Sequence, residues 1–153
     1  MKKNNTLKLL WAVVLLLPVA ISAQKNFNIE FEVVPGEKLT IDLETGASII
    51  IEGWDKNIVK AVAEVRGRDA DETEFEFDKT SSGIEITSDY NGWDDNYSSR
   101  AELKVMVPNK YDVDFKTMGG DVEIYKLEGR LEGTTMGGAL ILKNLKGYLD
   151  MHT

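Results

Sequence analysis

Cysteine is absent from the chain and histidine occurs once, at position 152. The first absence excludes disulfide scaffolds, thiolate zinc sites, iron–sulfur ligation and thiol catalysis, and with them a lipid-modified cysteine behind a signal sequence. The second leaves little for any mechanism that needs a histidine pair for metal or a histidine base deep in the fold. Positive charge is also short. Lys and Arg number 18 against 26 Asp and Glu, and the net charge of −8 argues against binding a phosphate backbone. No Gly-rich loop leads into Lys-Ser/Thr and the cations are scattered, so no nucleotide loop, no nucleic-acid partner and no cofactor is expected. Apolar residues are plentiful, 42% of 153, enough for a core in one domain.

One long apolar run exists. Leu9 to Ile21, broken at Pro18, follows Lys2, Lys3 and Lys8 and ends in Ile21-Ser22-Ala23. A basic start, a short apolar middle and a small-residue end are the parts of a secretory signal, so residues 1–23 read as a signal peptide cleaved after Ala23. About 13 apolar residues fall short of the roughly 20 a bilayer needs, which makes a membrane anchor the weaker reading. No membrane span is expected after cleavage. Removing the signal leaves 130 residues, takes away three Lys and no acid, and moves the net charge to −11. The expected location is a periplasm, a cell surface or the extracellular space.

From Asn28 onward apolar residues return at every second position. Ile29, Phe31 and Val33 alternate with Asn28, Glu30 and Glu32, and Leu39, Ile41 and Leu43 with Lys38, Thr40, Asp42 and Glu44. The same period runs through 62–65, 75–78, 84–86, 103–107 and 113–115, the signature of half-buried strands. Turn chemistry separates them at Pro35-Gly36, Gly53-Trp54-Asp55, Ser81-Ser82-Gly83, Asn91-Gly92 and Pro108-Asn109. No stretch of a dozen residues carries a helical stripe. Residues 24–153 are therefore expected to form an all-β domain, with the charged stretch 66–74 as a solvated loop.

The last forty residues say how the strands are arranged. Lys116-Thr117-Met118-Gly119-Gly120 recurs as Thr134-Thr135-Met136-Gly137-Gly138, an offset of 18. Carried across 117–135, that offset matches eight of 19 positions, among them Leu127 with Leu145 and Leu131 with Leu149. A unit of 18 residues is too short to bury its own apolar face, so it must stack on copies of itself. Laps about 4.8 Å apart would pair each strand in parallel with its copy and set the Gly-Gly pairs in a column of corners. The expected fold is a right-handed parallel β-helix-like solenoid with laps of 18 residues. The alternative is an antiparallel β-sandwich, because 28–107 repeats less regularly.

Three passages carry a resemblance to a known family. Thr45-Gly46-Ala47-Ser48-Ile49-Ile50-Ile51-Glu52-Gly53-Trp54-Asp55 resembles an opening Gly-x-Ile-x-Ile turn followed by a Trp/Asp corner. Leu103 to Val113 resembles a central strand-Pro-x-x-Tyr-Asp-Val passage, and the Thr-Met-Gly-Gly repeats resemble Thr-x-x-Gly-Asp/Ala-Ile laps. These are features of the DUF4097-like adhesin family of secreted and surface proteins of bacteria. The resemblance runs from about residue 30 to the end; it implies a β-solenoid with a role in adhesion and brings no catalytic residues. Family members usually run through more laps, and Thr153 falls where a third Thr-Met-Gly-Gly would start. The chain thus reads as the N-terminal part of a longer protein, with an open solenoid end through which it could self-associate.

Candidate ligand contacts are few. Acids spaced by two, such as Asp42 with Glu44, Glu74 with Glu76 and Asp78, and Asp112 with Asp114, fall on one outward strand face, and a solubilising surface accounts for them better than glycosidase chemistry. Gly53-Trp54-Asp55 and Gly92-Trp93-Asp94-Asp95 set an aromatic ring beside carboxylates, a pattern that suits a sugar ring and its hydroxyls. Trp54, next to Ile58 and Val59, fits a turn whose indole folds over the core. Trp93 lies in a polar, aromatic stretch, 88–100, too long for a hairpin turn, so Trp93, Asp94, Asp95 and Tyr90 are the better candidates, with Trp54 behind them. Asp89, Asn91, Asp94, Asp95 and Asn96 supply oxygens of the kind Ca²⁺ takes, without EF-hand spacing. The expectation is a non-catalytic exported adhesive module whose partner is a surface glycan or protein. The alternative is a polysaccharide-acting enzyme with its site in 88–100 or beyond the chain end.

Overall fold

The computed structural model describes residues 24–92 and 98–153. The expected signal, 1–23, lies outside the described residues, and so do Trp93, Asp94 and Asp95. Twelve strands make up the described chain: β1 (Gln24–Glu32), β2 (Lys38–Leu43), β3 (Ser48–Trp54), β4 (Ile58–Gly67), β5 (Thr73–Lys79), β6 (Gly83–Tyr90), β7 (Ser99–Pro108), β8 (Asp112–Thr117), β9 (Val122–Tyr125), β10 (Glu128–Thr135), β11 (Leu140–Lys143) and β12 (Lys146–His152). The one helical element among the described residues is a 3₁₀ turn, Ala70–Glu72. Period-two alternation becomes burial: β2 alternates half-buried and buried along its whole length, and β3 does the same.

The strands form two mixed six-stranded sheets, neither of which closes into a barrel. The first runs β1-β4-β7-β3-β9-β11 and the second β12-β10-β8-β2-β6-β5. Between them lies one core, to which the second sheet contributes Leu39, Ile41, Ile86, Phe115 and Leu131 and the first Ile49, Ile51, Val105, Val122 and Ile124, all buried. Each such apolar side chain contributes about 1.5–3 kcal/mol by leaving water.

The repeat read from the sequence is the strand register. β9 pairs with β11 in parallel, Val122 facing Leu140 and Ile124 facing Leu142. β10 pairs in parallel with β12, Leu131 facing Leu149, and with β8, Leu131 facing Val113. Each of these pairs is 18 residues apart. The parallel ladder continues where the sequence repeat fades: β2 lies beside β8 and β6, and β3 beside β9 and β7. Four strand pairs, β2–β3, β6–β7, β8–β9 and β10–β11, therefore each run out along the second sheet and back along the first. The stack is not parallel throughout. β1–β4, β4–β7 and β5–β6 are antiparallel, so the region that repeats least regularly is where pairing direction changes.

Two glycine positions show why the corners repeat. Gly138 has φ of +104°, and a Cβ there would lie 2.3 Å from the Gly120 carbonyl oxygen. Gly120, at +105°, bears in the same way on the carbonyl of Ala47, again at 2.3 Å. Thr117 fastens this corner, its Oγ1 accepting from the Ala47 amide and donating to the Gly119 carbonyl. Thr135 repeats the bond to the Gly137 carbonyl.

Residues 66–74 are not a solvated loop, as the charge run suggested. Ala70 and Thr73 are fully buried and Asp69 nearly so, because the 3₁₀ turn tucks Ala70 into the core and the Asp69 carboxylate is satisfied by hydrogen bonds.

Candidate binding site

Residues 91–98 connect β6 to β7, and the described ends of that connection lie at the same corner of the stack as Thr45–Ala47 and the Thr-Met-Gly-Gly turns. Where those turns need a few residues, this corner is expanded. Thr45 Oγ1 lies 2.7 Å from Ser88 Oγ, which ties the two corners together. Both stems of the expanded corner rest on the 3₁₀ turn. The Asn91 amide donates to the Glu72 carbonyl at 2.9 Å, and the Ser98 amide donates to Asp69 Oδ2 at 2.6 Å. Arg68 grips the same carboxylate with Nε and Nη2, at 2.9 and 3.0 Å. The Arg68 hydrogen bonds first, and then the Ser98 amide, hold the Asp69 carboxyl below its ordinary range against the opposing effect of desolvation.

Beside these stems the outer face of the second sheet is strongly acidic. One row across it reads Asp150, Glu132, Asp114, Thr40, Glu85 and Asp78, each facing the next in register. Like charges placed directly opposite oppose pairing. Cations temper the row at one side, where Arg130 is 2.7 Å from Glu132 and Lys38 is 3.8 Å from Asp114, and the His152 imidazole lies 3.0 Å from Asp150. Toward β5 and β6 more acids gather, of which Asp42 has Lys116 at 3.7 Å and Glu74 has Lys25 at 3.5 Å. A groove of about 290 Å³ there is lined by Asp42, Glu44, Glu74, Glu76, Glu85 and Asp89, with Asn91 at its rim. No group of three acidic or histidine side chains arranged to hold a metal ion occurs among the described residues.

The residues expected to contact a ligand fall at separate places. Tyr90 ends β6 beside Glu44, Thr45 and Asp89. Trp54 ends β3 at the opposite corner, where its indole Nε1 donates to the Ile58 carbonyl at 2.7 Å and the Lys56 ammonium sits 4.7 Å from its ring centroid. Its ring is thus engaged within its own turn. Tyr90 and Trp54 are not brought together, and Trp93, Asp94 and Asp95 lie outside the described residues. The residues that the sequence left unnoticed are those that hold the stems, Asp69 and Arg68, hidden in a run that looked merely charged.

No protein-family model and no curated protein matches the sequence. Solved structures do match. A "putative cell adhesion protein" from Clostridium sporogenes superposes with a TM-score of 0.56 at 17% identity, over 82% of this chain and 64% of that one. A "putative adhesin" from Parabacteroides merdae gives a TM-score of 0.47 at 12% identity, over 83% of this chain and 52% of that one. A "putative lipid binding protein" from Parabacteroides distasonis gives 0.41 at 14%, over 82% and 60%. This chain thus spans less than two thirds of the length of each. Among the described residues no helix is long and apolar enough to cross a membrane. The Clostridium likeness establishes a shared all-β fold with a protein named for cell adhesion.

Proposed function

We propose that this protein is an exported, non-catalytic adhesive module, a right-handed parallel β-helix-like solenoid of 18-residue laps akin to the DUF4097-like adhesins. Its signal, 1–23, is removed on export to the periplasm or cell surface, and the remaining domain binds a surface glycan or protein through the 88–100 corner. One observation carries this reading. Where the other turns at this corner of the stack are short and built on Gly46, Gly119-Gly120 and Gly137-Gly138, the β6–β7 connection is eight residues long, its ends are anchored by Asp69 and Glu72, and those ends border an acidic groove. A rigid stack that presents one enlarged loop is organised for binding, whereas a catalytic cleft needs unlike groups converging on one point. Trp93, Asp94, Asp95 and Tyr90 are the proposed contacts in that corner.

Glycan binding by the wild-type protein, weakened about tenfold or more by Trp93→Ala without turnover of the glycan, is the expected result, since losing the indole's stacking and burial against a sugar ring removes on the order of 1.5 kcal/mol. Hydrolysis or cleavage of the glycan, abolished by changing one carboxylate of the acidic groove, would instead establish a polysaccharide-acting enzyme.

A further inference from the structure

Three of the lysines scattered along the sequence come together at the corner opposite the acidic groove. Three turns that lead into the second sheet lie over one another there: Asn109-Lys110 before β8, Lys126-Leu127 before β10 and Asn144-Leu145 before β12. Backbone bonds lock them together, the Glu128 amide to the Asn109 carbonyl at 2.8 Å, the Lys126 amide to the Lys143 carbonyl at 3.1 Å and the Lys146 amide to the Leu127 carbonyl at 2.9 Å. Across them runs a groove of about 280 Å³ lined by Lys110, Lys126, Lys146, Asn109, Asn144 and Glu128. Three lysines against Glu128 in the lining and Glu52, paired with Lys126, leave a local excess of positive charge in a domain whose net charge is −11. A cleft lined by one sign concentrates counter-ions.

Little within the protein satisfies these groups. Lys126 pairs with Glu52 at 3.0 Å, but Lys110 lies 4.0 Å from Glu128, an exposed pair that contributes little, and Lys146 has no acid within pairing distance among the described residues. Neither the Asn109 nor the Asn144 carboxamide hydrogen-bonds to another described residue, and each can both donate and accept. The backbone adds a second sign. Lys126 and Asn144 adopt φ of 55° and 56°, a left-handed conformation that Asn takes readily and Lys does not. An ammonium is held where Asn or Gly would be less strained.

We infer that this groove binds an anionic polysaccharide laid along the stack, its carboxylate or sulfate groups meeting lysines on successive corners and its hydroxyls meeting the two asparagine amides. With laps about 4.8 Å apart, three successive corners each place one lysine, Lys110, Lys126 and Lys146, within reach of such a polymer. The inference rests on the adhesive reading but not on the 88–100 corner.

The test is calorimetric titration of the full chain at low salt with polygalacturonate, whose anions are carboxylates, with heparin, rich in sulfates, and with neutral dextran. Binding of either acidic polymer but not of dextran is expected, with affinity falling as salt rises. The triple variant Lys110→Gln/Lys126→Gln/Lys146→Gln should bind at least tenfold more weakly with an unchanged thermal midpoint. Failure of both acidic polymers to bind, or equal binding by the triple variant, would overturn the inference. Binding of a neutral glycan that depends on Trp93, with no lysine-dependent binding of either acidic polymer, would overturn it too, while leaving the adhesive function intact.

Discussion

The two ends of the stack are built from similar strands and finished differently. At the β1–β5 end, Phe27, Phe75 and Phe77 close the core as a ring cluster with centroids 5.7, 5.8 and 6.1 Å apart. Lysines clasp that end, Lys25 Nζ donating to the Thr73 carbonyl at 3.3 Å and Lys79 Nζ to the Glu32 carbonyl at 2.5 Å. Among the described residues the β11–β12 end has no such cover. Leu142 and Leu149 are 38% and 43% exposed, whereas Ile124 and Leu131, the same positions one lap earlier, are fully buried. The side chains scarcely differ, so burial in this fold is conferred by the lap beyond a residue rather than by the residue's own lap.

The largest expected effect tests that statement directly. Leu131→Ala should cost about 2–5 kcal/mol in urea unfolding, the range for emptying a closed core site, and Leu149→Ala less than half as much. Equal costs would break the comparison. The corners should behave the opposite way, because a Cβ at Gly120 or at Gly138 presses on the carbonyl of the lap beneath. Gly120→Ala and Gly138→Ala are therefore each expected to lose about 1–3 kcal/mol, regardless of which end is nearer, while Gly119→Ala and Gly137→Ala, with open space around the new methyl, change little. A large difference between Gly120 and Gly138 would mean that the end lap is not held as the inner ones are.

The smallest effect concerns acid. The Asp69 carboxyl is lowered in the folded chain, so its stabilisation is fully present above the ordinary carboxylate range and is lost as pH falls through the lower folded value. The Ser98 amide should exchange faster with solvent as pH falls toward 3, once the intrinsic pH dependence of exchange is removed, and Asp69→Asn should flatten that change. A wild-type acid response retained in Asp69→Asn would assign it to another group.

The lap register was legible in the sequence because a parallel, in-register stack gives residues 18 apart the same surroundings. Leu131 over Leu149 and the Gly-Gly corners follow from that alone. The laps β2–β3 and β6–β7 were not legible, since their inward residues match later laps only in kind: Leu39 faces Val113 and Ile41 faces Phe115. Nor could alternation reveal the antiparallel partners of β4, because a period of two records which face is buried and not which way the neighbour runs. The length of the 88–100 corner marked it in the sequence, but the grip of Asp69 on Ser98 joins residues 29 apart and depends on the fold. The lysine corner could have been found by carrying the 18-residue offset onto the charges, which sets Lys110, Glu128 and Lys146 in one column.

The central claim is that residues 18 apart stand side by side in parallel laps, and a chain without cysteine allows it to be tested cleanly by cross-linking. Glu123 and Ile141 face each other across β9 and β11, at the separation between neighbouring strands, which lies within the reach of a disulfide. In Glu123→Cys/Ile141→Cys, mild oxidation is predicted to form an intramolecular disulfide rapidly and nearly completely. Glu123→Cys/Leu142→Cys, slipped by one residue onto the opposite face, should resist. Slow or absent cross-linking of the first variant, or equal cross-linking of both, would contradict the stacked-lap account.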